Sequence, residues 1–300
     1  MSAKIVECVP NFSEGRRPEI IEQVVDQVRE TAGAILLDYS SDADHNRTVV
    51  TYIGTPEACA EAAFKLTAKA AELIDMNVHE GGHPRMGATD VVPFIPISGV
   101  KLKDCIEIAN EVGERIAKEL NIPIYLYERA AKTDKRKNLS VVRKGEYEGF
   151  KNKINDPEWA PDFGESKLHP TAGATVVGAR PALVAFNVNL DTSDVEIANK
   201  IAKKVRESNG GLKNVKGMGV MLEDRNIAQV SMNMTNYKKT ALYRSFEMIK
   251  MEAKRYGVNV VGSEIVGLVP MDALIDCAGY YLQLEGFSKK NQILERRLQG

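Results

Sequence analysis

Paired cysteines are missing from this sequence of 300 residues. Its four cysteines, Cys8, Cys59, Cys105 and Cys277, lie far apart in apolar surroundings, and no two of them form a Cys-x-x-Cys motif. Such a pattern is typical of buried free thiols in a reducing compartment. A chain of this length can bury a sizeable core without disulfides. We therefore expect a cytoplasmic protein.

An excess of charge, aromatic side chains and long apolar runs are missing as well. The chain has 40 Lys and Arg against 41 Asp and Glu, and aromatic residues make up only 6%. Nucleic-acid binders usually present a basic surface and stacking platforms. No apolar run approaches the roughly 20 residues that cross a bilayer, and the N-terminal residues lack the apolar region of a signal peptide. We expect neither a nucleic acid nor a membrane among the partners.

Motifs of nucleotide-binding and nucleophilic enzymes are also absent. No Gly-x-Gly-x-x-Gly follows a predicted strand, and the sequence contains neither a phosphate-binding loop nor a Gly-x-Ser-x-Gly elbow. The Gly-x-Gly of Gly217 and Gly219 is too common a pattern to indicate a nucleotide site. What remains for chemistry is acid–base catalysis by side chains in loops.

Strand and helix patterns alternate along the first half of the chain. Apolar spacing predicts helices that begin at Pro18, at Pro56 and near Leu102, since proline is favoured in the first turn. Short runs rich in apolar and β-branched residues between them predict strands, of which "NRTVVTYIG" is an example. From about 129 to 180 the regular pattern fades, as in functional loops or linkers.

The second half repeats the order strand, helix, strand, strand, helix, strand, with Thr192 or Ser193 expected to cap its first helix. This repetition predicts an α/β (α+β) fold of two subdomains, residues 1–180 and 181–300. Each is expected to be a mixed β-sheet with helices packed on one face.

Amides and hydroxyls, rather than charges, occupy one face of two strands in the second half. In "IAQVSMNM" they are Gln229, Ser231 and Asn233, and in "AFNVNL" they are Asn187 and Asn189. A solvent-facing strand usually carries more Lys and Glu. We interpret this face as lining a substrate cleft between the subdomains; a plain solvated face is the alternative.

The stretch "HEGGHPRMGATD" at residues 79–90 matches the zinc-peptidase pattern His-Glu-x-x-His by its letters. Two adjacent glycines cost a helix about 2 kcal/mol, and proline disfavours a helical residue before it, so His79 and His83 do not share a helical face. A loop histidine with an ordinary pKa suits acid–base catalysis. Arg47 and Arg85 are candidates for binding carboxylates, with structural ion pairs as the alternative. No metal is expected.

Several motifs together resemble the formimidoyltransferase-domain family, the transferase part of the formimidoyltransferase–cyclodeaminases. They occur in the family's order over essentially the whole chain: "VECVPNFSEG", "NRTVVT", "HPRMGATDVVPFIPI", "PIYLYE", "WAPDFG", "TAGATVVGAR" and "AFNVNL". The resemblance implies two subdomains with a cleft between them, usually in a homodimer. It implies transfer of the formimidoyl group from N-formimidoyl-L-glutamate to N5 of tetrahydrofolate as co-substrate.

The resemblance also implies site residues. The family's catalytic histidine precedes Pro-Arg-Met-Gly, which is His83 here. Its folate-contacting segment follows "WAPDFG" and comprises Gly164, Glu165, Ser166, Lys167, Leu168, His169, Pro170, Thr171, Ala172 and Gly173. Arg47 and Arg85 are then expected to hold the glutamate carboxylates.

An acidic group is expected to hold the cationic amidine of the donor. Bifunctional members carry an acidic residue two positions after the one matching Asp38, but this chain has Ser40 there, with Asp42 and Asp44 beyond it. Asp38, Asp42 and Asp44 are therefore the candidates. Rival functions are formyl transfer from N-formylglutamate and a non-catalytic folate carrier.

Overall fold

The computed structural model describes residues 3–298, and the chain divides into two compact units between Arg180 and Pro181. The α/β fold class with two subdomains is confirmed.

The first unit consists of one β-sheet and the helices that pack on it. Its strands are β1 (Ile5–Cys8), β2 (Asn11–Phe12), β3 (Ala34–Asp42), β4 (Arg47–Gly54), β5 (Thr89–Ser98), β6 (Ile124–Glu128) and β7 (Thr175–Ala179). Its helices are α1 (Pro18–Arg29), α2 (Pro56–Leu73), α3 (Leu102–Leu120), α4 (Leu139–Val142) and α5 (Glu146–Lys153).

The sheet of the first unit is mixed, as expected. β1 and β2 both lie between β4 and β5, so they act as one strand interrupted before Asn11, and β3 pairs with the far side of β4. All of these pairings are antiparallel. β7 lies between β5 and β6 and is parallel to both.

This sheet is covered on both faces at its parallel side, which corrects the expectation of helices on one face. The helices α1, α2 and α3 pack on one face, where Ile124, Leu126 and Val177 point. Tyr125 and Val176 point to the opposite face and pack with residues of α4 and α5. Parallel strands are usually buried on both sides, which explains why β6 and β7 read as continuous apolar runs.

The stretch from 129 to 180 is only partly irregular. It contains the short helices α4 and α5 and, at its end, the strand β7, which the sequence analysis left inside the patternless region. The segment "ATVVGAR" is too short and too uniformly apolar to show a period of two. Its identity as a strand depends on pairing with β5 and β6.

The second unit consists of one sheet and its helices. Its strands are β8 (Val184–Leu190), β9 (Val215–Leu222), β10 (Ile227–Met234) and β11 (Val260–Val266). Its helices are α6 (Val195–Val205), α7 (Leu242–Lys254), α8 (Met271–Tyr281), α9 (Lys289–Gln292) and α10 (Leu294–Leu298).

The sheet order in the second unit is β11-β8-β10-β9, and each pair of these strands is antiparallel. The expectation of a mixed sheet is therefore wrong for this unit. The cap of α6 also differs from the prediction: Asp194, rather than Thr192 or Ser193, accepts a hydrogen bond from the backbone N–H of Glu196. Any of these three side chains can cap a helix, so the sequence alone did not select one.

Candidate active site

The segment predicted to hold the catalytic histidine is a loop that packs against the turn between β3 and β4. Asn46 of that turn donates from Nδ2 to the carbonyl of Glu80 at 2.8 Å, and Gly82 N–H donates to the carbonyl of Asp44 at 3.0 Å. A Cβ on Gly81 would lie 2.4 Å from the carbonyl oxygen of His45. Gly81 is therefore needed for close approach to the turn.

His79 is held in one neutral form by two hydrogen bonds. Its Nε2 lies 3.0 Å from the carbonyl of Asn46, and its Nδ1 accepts from Arg85 Nε at 3.3 Å. Because a carbonyl only accepts, Nε2 carries the proton. Burial lowers the pKa of His79, which favours this neutral form. His79 therefore has a supporting role in the loop.

Arg85 is buried and uses all five of its N–H donors within the protein. Besides the contact to His79 Nδ1, Nη2 donates to the carbonyl of His79 at 3.1 Å. Glu148 accepts from both Nη1 and Nη2, at 2.9 and 2.8 Å, and Glu146 accepts from Nη1 at 2.9 Å. This arrangement leaves no donor for a substrate carboxylate, so we assign Arg85 to joining the loop to α5.

The imidazole of His83 makes no hydrogen bond within residues 3–298 and lies in a cationic environment. Burial lowers the pKa of His83 to about 3, and the positive charges of Arg47 and Arg143 add to this effect. The ring is therefore neutral at physiological pH. An unprotonated nitrogen that no protein group occupies can accept a proton from a substrate.

Arg47 and Arg143 each have an unused donor. The Nε atoms of both are buried and have no hydrogen-bond partner among the described residues. Arg143 forms an ion pair with the carboxylate of Asp90, which is 1% exposed and also accepts from Met86 N–H at 3.0 Å. Burial, followed by the charge of Arg143, lowers the pKa of Arg47. Two close guanidinium groups with unused donors form a site suited to a carboxylate.

The candidate carboxylates on β3 have different surroundings. Asp42, directly opposite Arg47 in the sheet, accepts from His45 N–H at 2.8 Å and lies 3.0 Å from His45 Nδ1. These hydrogen bonds lower the pKa of Asp42. Asp38 is exposed and lies four residues earlier on the strand, about 13 Å away at 3.3 Å per residue. The structure brings Asp42, and not Asp38, to this cluster.

The predicted folate segment divides into an exposed part and an anchored part. Gly164, Glu165, Ser166 and Lys167 are exposed, whereas Ala172 and Gly173 are buried. Ala88 N–H donates to the carbonyl of Ala172 at 2.9 Å. The anchored end therefore lies against the loop that contains His83.

Two further contacts fix the folate segment. Met76 N–H donates to the carbonyl of Thr171 at 2.8 Å, and Asn77 Nδ2 donates to that of Pro170 at 2.8 Å. Gly173 has φ of +72°, and a Cβ there would lie 2.5 Å from the carbonyl oxygen of Met86. Only glycine combines this backbone conformation with so close an approach.

His169 begins the tight turn that ends at Gly173. Its Nδ1 accepts from the backbone N–H groups of Thr171 and Ala172, at 3.3 and 2.9 Å. Burial lowers its pKa, so the ring is neutral with the proton on Nε2. Leu168 packs next to it against the apolar core. This turn therefore anchors the exposed residues of the predicted folate segment to the protein.

Four basic side chains near α4 all contact other residues of the protein: Lys132, Lys135, Arg136 and Lys137. Arg136 is buried and pairs with Asp162 at 2.7 Å, Lys135 pairs with Glu158, and Lys137 pairs with Asp134. Lys132 donates to Asn110 Oδ1 at 3.0 Å.

The polar face of the second sheet forms a hydrogen-bond network. Gln229 Nε2 donates to Asn189 Oδ1 and to Glu264 Oε1, both at 2.8 Å, and Asn187 Nδ2 donates to Glu264 Oε1 at 3.0 Å. The amides are thus mutually satisfied. The role of this face in a cleft stays a prediction.

A cavity of about 320 Å³ lies in the second unit and has mainly apolar walls, to which Phe186, Leu242, Phe246 and Leu274 contribute. None of the predicted site residues lines it. Residues 3–298 contain no group of three or more His, Cys, Asp or Glu side chains arranged to hold a metal ion. Across the same residues, no helix is both long and apolar enough to span a membrane.

Sequence reasoning missed Arg143, Asp90 and the acceptors of Arg85. Asp90 lies inside the motif "HEGGHPRMGATD", but nothing in the sequence indicates that Arg143 is its partner. Arg143, Glu146 and Glu148 lie in the stretch without regular pattern, more than 50 residues from the loop that they contact. The positive charge of the stretch was visible, but contacts at this sequence separation have no local signal.

Comparison with known proteins gives the same result for both units. The family described as "Formiminotransferase domain, N-terminal subdomain" matches residues 5–180, and the one described as "Formiminotransferase domain" matches residues 185–296.

Curated relatives match over nearly the whole chain. A glutamate formimidoyltransferase of Streptococcus pyogenes is 58% identical over 99% of this chain and 100% of its own length. A glutamate formimidoyltransferase of Thermoplasma acidophilum is 47% identical over 98% of this chain and 97% of its own. A formimidoyltransferase-cyclodeaminase of Mus musculus is 47% identical over 94% of this chain, but the match spans 53% of the mouse protein.

Proposed function

Because this chain belongs to the formiminotransferase-domain family, we propose that it transfers the formimidoyl group from N-formimidoyl-L-glutamate to N5 of tetrahydrofolate. The products are 5-formimidoyltetrahydrofolate and glutamate. The reaction is that of a one-carbon group transferase in histidine degradation. Tetrahydrofolate is a co-substrate.

His83 is the catalytic residue. N5 of the reduced pterin attacks the amidine carbon, a tetrahedral intermediate forms, and the bond to the glutamate nitrogen breaks. N5 must lose a proton and the glutamate nitrogen must gain one. The neutral His83, whose ring makes no hydrogen bond within residues 3–298, is suited to remove the first proton. Such acid–base assistance contributes about 10²–10⁴-fold.

Arg47 and Arg143 hold a carboxylate of the donor. Arg143 is paired with Asp90, whereas Arg47 makes no side-chain hydrogen bond among the described residues, and the substrate carboxylate supplies an acceptor. Burial is the main reason for the low pKa of His83; a bound carboxylate offsets the charges of Arg47 and Arg143 that add to it, and so strengthens His83 as a base when the donor is present. The carboxylate of Asp42 is half-exposed and is available to bind the cationic amidine of the donor.

The segment from Gly164 to Gly173 contacts the folate. Its exposed first residues and its anchored last residues, which hydrogen-bond to the backbone next to Met86 and Ala88, support this assignment. The proton on His169 Nε2 is a donor on this segment. Contacts to a reduced pterin therefore come from a turn of fixed geometry.

The observation that supports the function most strongly is the neutral His83 next to two guanidinium groups with unused donors. The experiment is to incubate the purified chain with tetrahydrofolate and N-formimidoyl-L-glutamate and to follow product absorbance. We expect turnover, and we expect His83→Ala to fold and to lose about 10²-fold or more of kcat. A folded His83→Ala enzyme with normal turnover would contradict the assignment.

The same assay separates the rival functions. Faster turnover with N-formylglutamate than with the formimidoyl donor indicates formyl transfer. Tight binding of tetrahydrofolate without turnover of either donor indicates a folate carrier. Only the formimidoyl reaction requires a site for a cationic donor, for which Asp42 is available.

We further propose that the protein is cytoplasmic and forms a homodimer. The spacing of its free cysteines supports the first statement. Large apolar side chains exposed around α8, among them Leu274, Tyr281 and Leu282, support the second, since such patches mark association surfaces. Sedimentation equilibrium should give twice the 33.1 kDa chain mass.

A further inference from the structure

The turn between β3 and β4 carries an aspartate–histidine pair, Asp42 and His45, and the reaction described so far gives no role to His45. Asp42 Oδ2 lies 3.0 Å from His45 Nδ1, and its Oδ1 accepts from the backbone N–H of His45 at 2.8 Å. The carboxylate therefore fixes both the backbone and the ring of His45. It also places the proton of the neutral ring on Nδ1 and leaves Nε2 unprotonated.

The ring of His45 lies next to that of His83. Their centroids are 6.5 Å apart in an edge-to-face arrangement, so the two rings are direct neighbours. The approach is built into the backbone, because Gly81 contacts the carbonyl of His45 and Gly82 N–H donates to Asp44. The two histidines therefore come from separate segments that fold against each other.

Stability does not explain this pair. The side chains of His45 and Asp42 are 51% and 47% exposed, and ion pairs at such positions contribute at most about 1 kcal/mol. An exposed imidazole with a fixed orientation is available to a substrate. The pair has the form of a histidine whose ring is oriented by a carboxylate.

We propose that His45, oriented by Asp42, is a second catalytic residue that receives the proton from His83 and delivers it to the departing glutamate nitrogen. This inference rests on the proposed function. His83 takes the N5 proton as the bond between N5 and the amidine carbon forms. The proton then passes to His45 Nε2, and His45 gives it to the glutamate nitrogen as the carbon–nitrogen bond breaks. One proton moves from N5 to glutamate, and both rings end neutral.

The charges around the two rings favour this direction. Burial and then neighbouring positive charges, chiefly those of Arg47 and Arg143, lower the pKa of His83, so a proton on that ring is easily passed on. His45 faces the Asp42 carboxylate on β3 and the ring of His83 on the loop. The acceptor of the relay therefore has a carboxylate oxygen 3.0 Å from its ring.

The test compares His45→Gly with His45→Gln in the full chain, using tetrahydrofolate and N-formimidoyl-L-glutamate. Both should lower kcat by about 10²-fold while KM for either substrate changes little. Imidazole in solution should restore about tenfold of kcat to His45→Gly, which has room for it, and none to His45→Gln or wild type. Asp42→Asn should lower kcat less.

Two outcomes overturn the inference. The first is kcat within about twofold of wild type in both His45 variants, since the role proposed is worth far more than that. The second is a loss that imidazole does not restore in His45→Gly, which indicates a structural role. Wild-type turnover is measured alongside: if wild type turns over and the variants behave in either of these ways, the inference fails and the proposed function stands.

Discussion

At the scale of single residues, His83 lies among guanidinium groups rather than beside a carboxylate. Burial favours its neutral form, the charges of Arg47 and Arg143 add to this effect, and the buried Asp90 balances part of their charge. If an anionic substrate binds these arginines as proposed, we expect it to offset the part of the pKa shift that is due to their charges.

Arg47 should contribute mainly to donor binding. Arg47→Gln removes a charged hydrogen-bond donor, which is worth about 1.5–3 kcal/mol, so KM for N-formimidoyl-L-glutamate should rise about 10- to 150-fold. KM for tetrahydrofolate should stay unchanged, and Arg47→Lys should be intermediate because it keeps the charge but not the planar pair of donors. Steady-state kinetics with each substrate varied in turn provide the measurement. Equal increases in both KM values would argue against a donor-specific role.

Gly81 and Gly82 offer a matched pair of substitutions. A Cβ on Gly81 would lie 2.4 Å from the carbonyl of His45, whereas one on Gly82 would have its nearest neighbour at 3.6 Å. Gly81→Ala should therefore displace the loop and lower kcat by about 10²-fold, the size of effect that small misplacement of catalytic groups produces. Gly82→Ala should change kcat far less. Similar kinetics for the two variants would count against this packing.

At the scale of elements, the irregular stretch after β6 is held by a buried ion pair. Arg136 and Asp162 are each 6% exposed, and Asp162 also accepts from Leu126 N–H at 2.7 Å. Arg136 donates further to the carbonyl of Ala160 at 2.6 Å. The "WAPDFG" motif is thus explained in part by an aspartate that fastens this stretch to the sheet.

Asp162→Asn should destabilise the fold by about 3–5 kcal/mol, because it leaves the Arg136 charge buried without its partner. Lys135→Gln is the control on the same turn: the ion pair of Lys135 with Glu158 is exposed, and removing it should cost less than about 1 kcal/mol. Urea unfolding monitored by circular dichroism compares the two. Equal midpoints would contradict the distinction between the buried and the exposed pair.

The elements that sequence reasoning predicted correctly are those with a strong local pattern. The helices α1, α2 and α3 combine apolar spacing with proline or a capping residue, and the strands from β3 to β6 are bounded by clear turns. β7 was missed because it has no alternating pattern and, unlike β6, it follows a long stretch without regular elements. Local sequence patterns also do not show whether the strands of the second sheet pair in parallel or antiparallel, since this depends on how distant segments meet.

The candidate site stays a prediction, but part of its surroundings could be expected from the sequence. The position of His83 followed from its motif, and the neighbourhood of Arg47 and Asp42 agrees with the expectation of charged groups around it. Arg85 was expected to face a substrate and instead holds α5, because its partners Glu146 and Glu148 carry no signal of their contact in the sequence.

At the scale of the whole molecule, the depressed pKa of His83 makes stability depend on pH. In the folded chain the pKa is about 3, whereas an unfolded chain titrates near 6.5. Between about pH 3 and pH 6.5 the unfolded state therefore binds one more proton, and lowering the pH reduces the free energy of unfolding by at most about 1.4 kcal/mol per pH unit. Above about pH 6.5 His83 contributes no pH dependence.

His83→Gln should remove this dependence. Its free energy of unfolding should fall less than that of wild type between pH 7 and pH 4, while the contributions of Asp and Glu stay common to both proteins. Urea titrations at several pH values measure the difference. Parallel pH profiles for the two proteins would indicate that His83 titrates normally in the folded chain.

The position of β7 between β5 and β6 also sets the order in which this protein folds. β5 and β6 emerge first and cannot pair with each other, because the place between them is taken by a strand that follows β6 by more than 40 residues. The hydrogen bonds that fix the His83 loop, from Ala88 and Ala174, involve the residues that lead into β7. Long-range parallel pairing is slow to form. The His83 loop therefore gains its shape only when this late strand has inserted, so we expect a chain still emerging from the ribosome to lack the ordered candidate site until the first unit is complete.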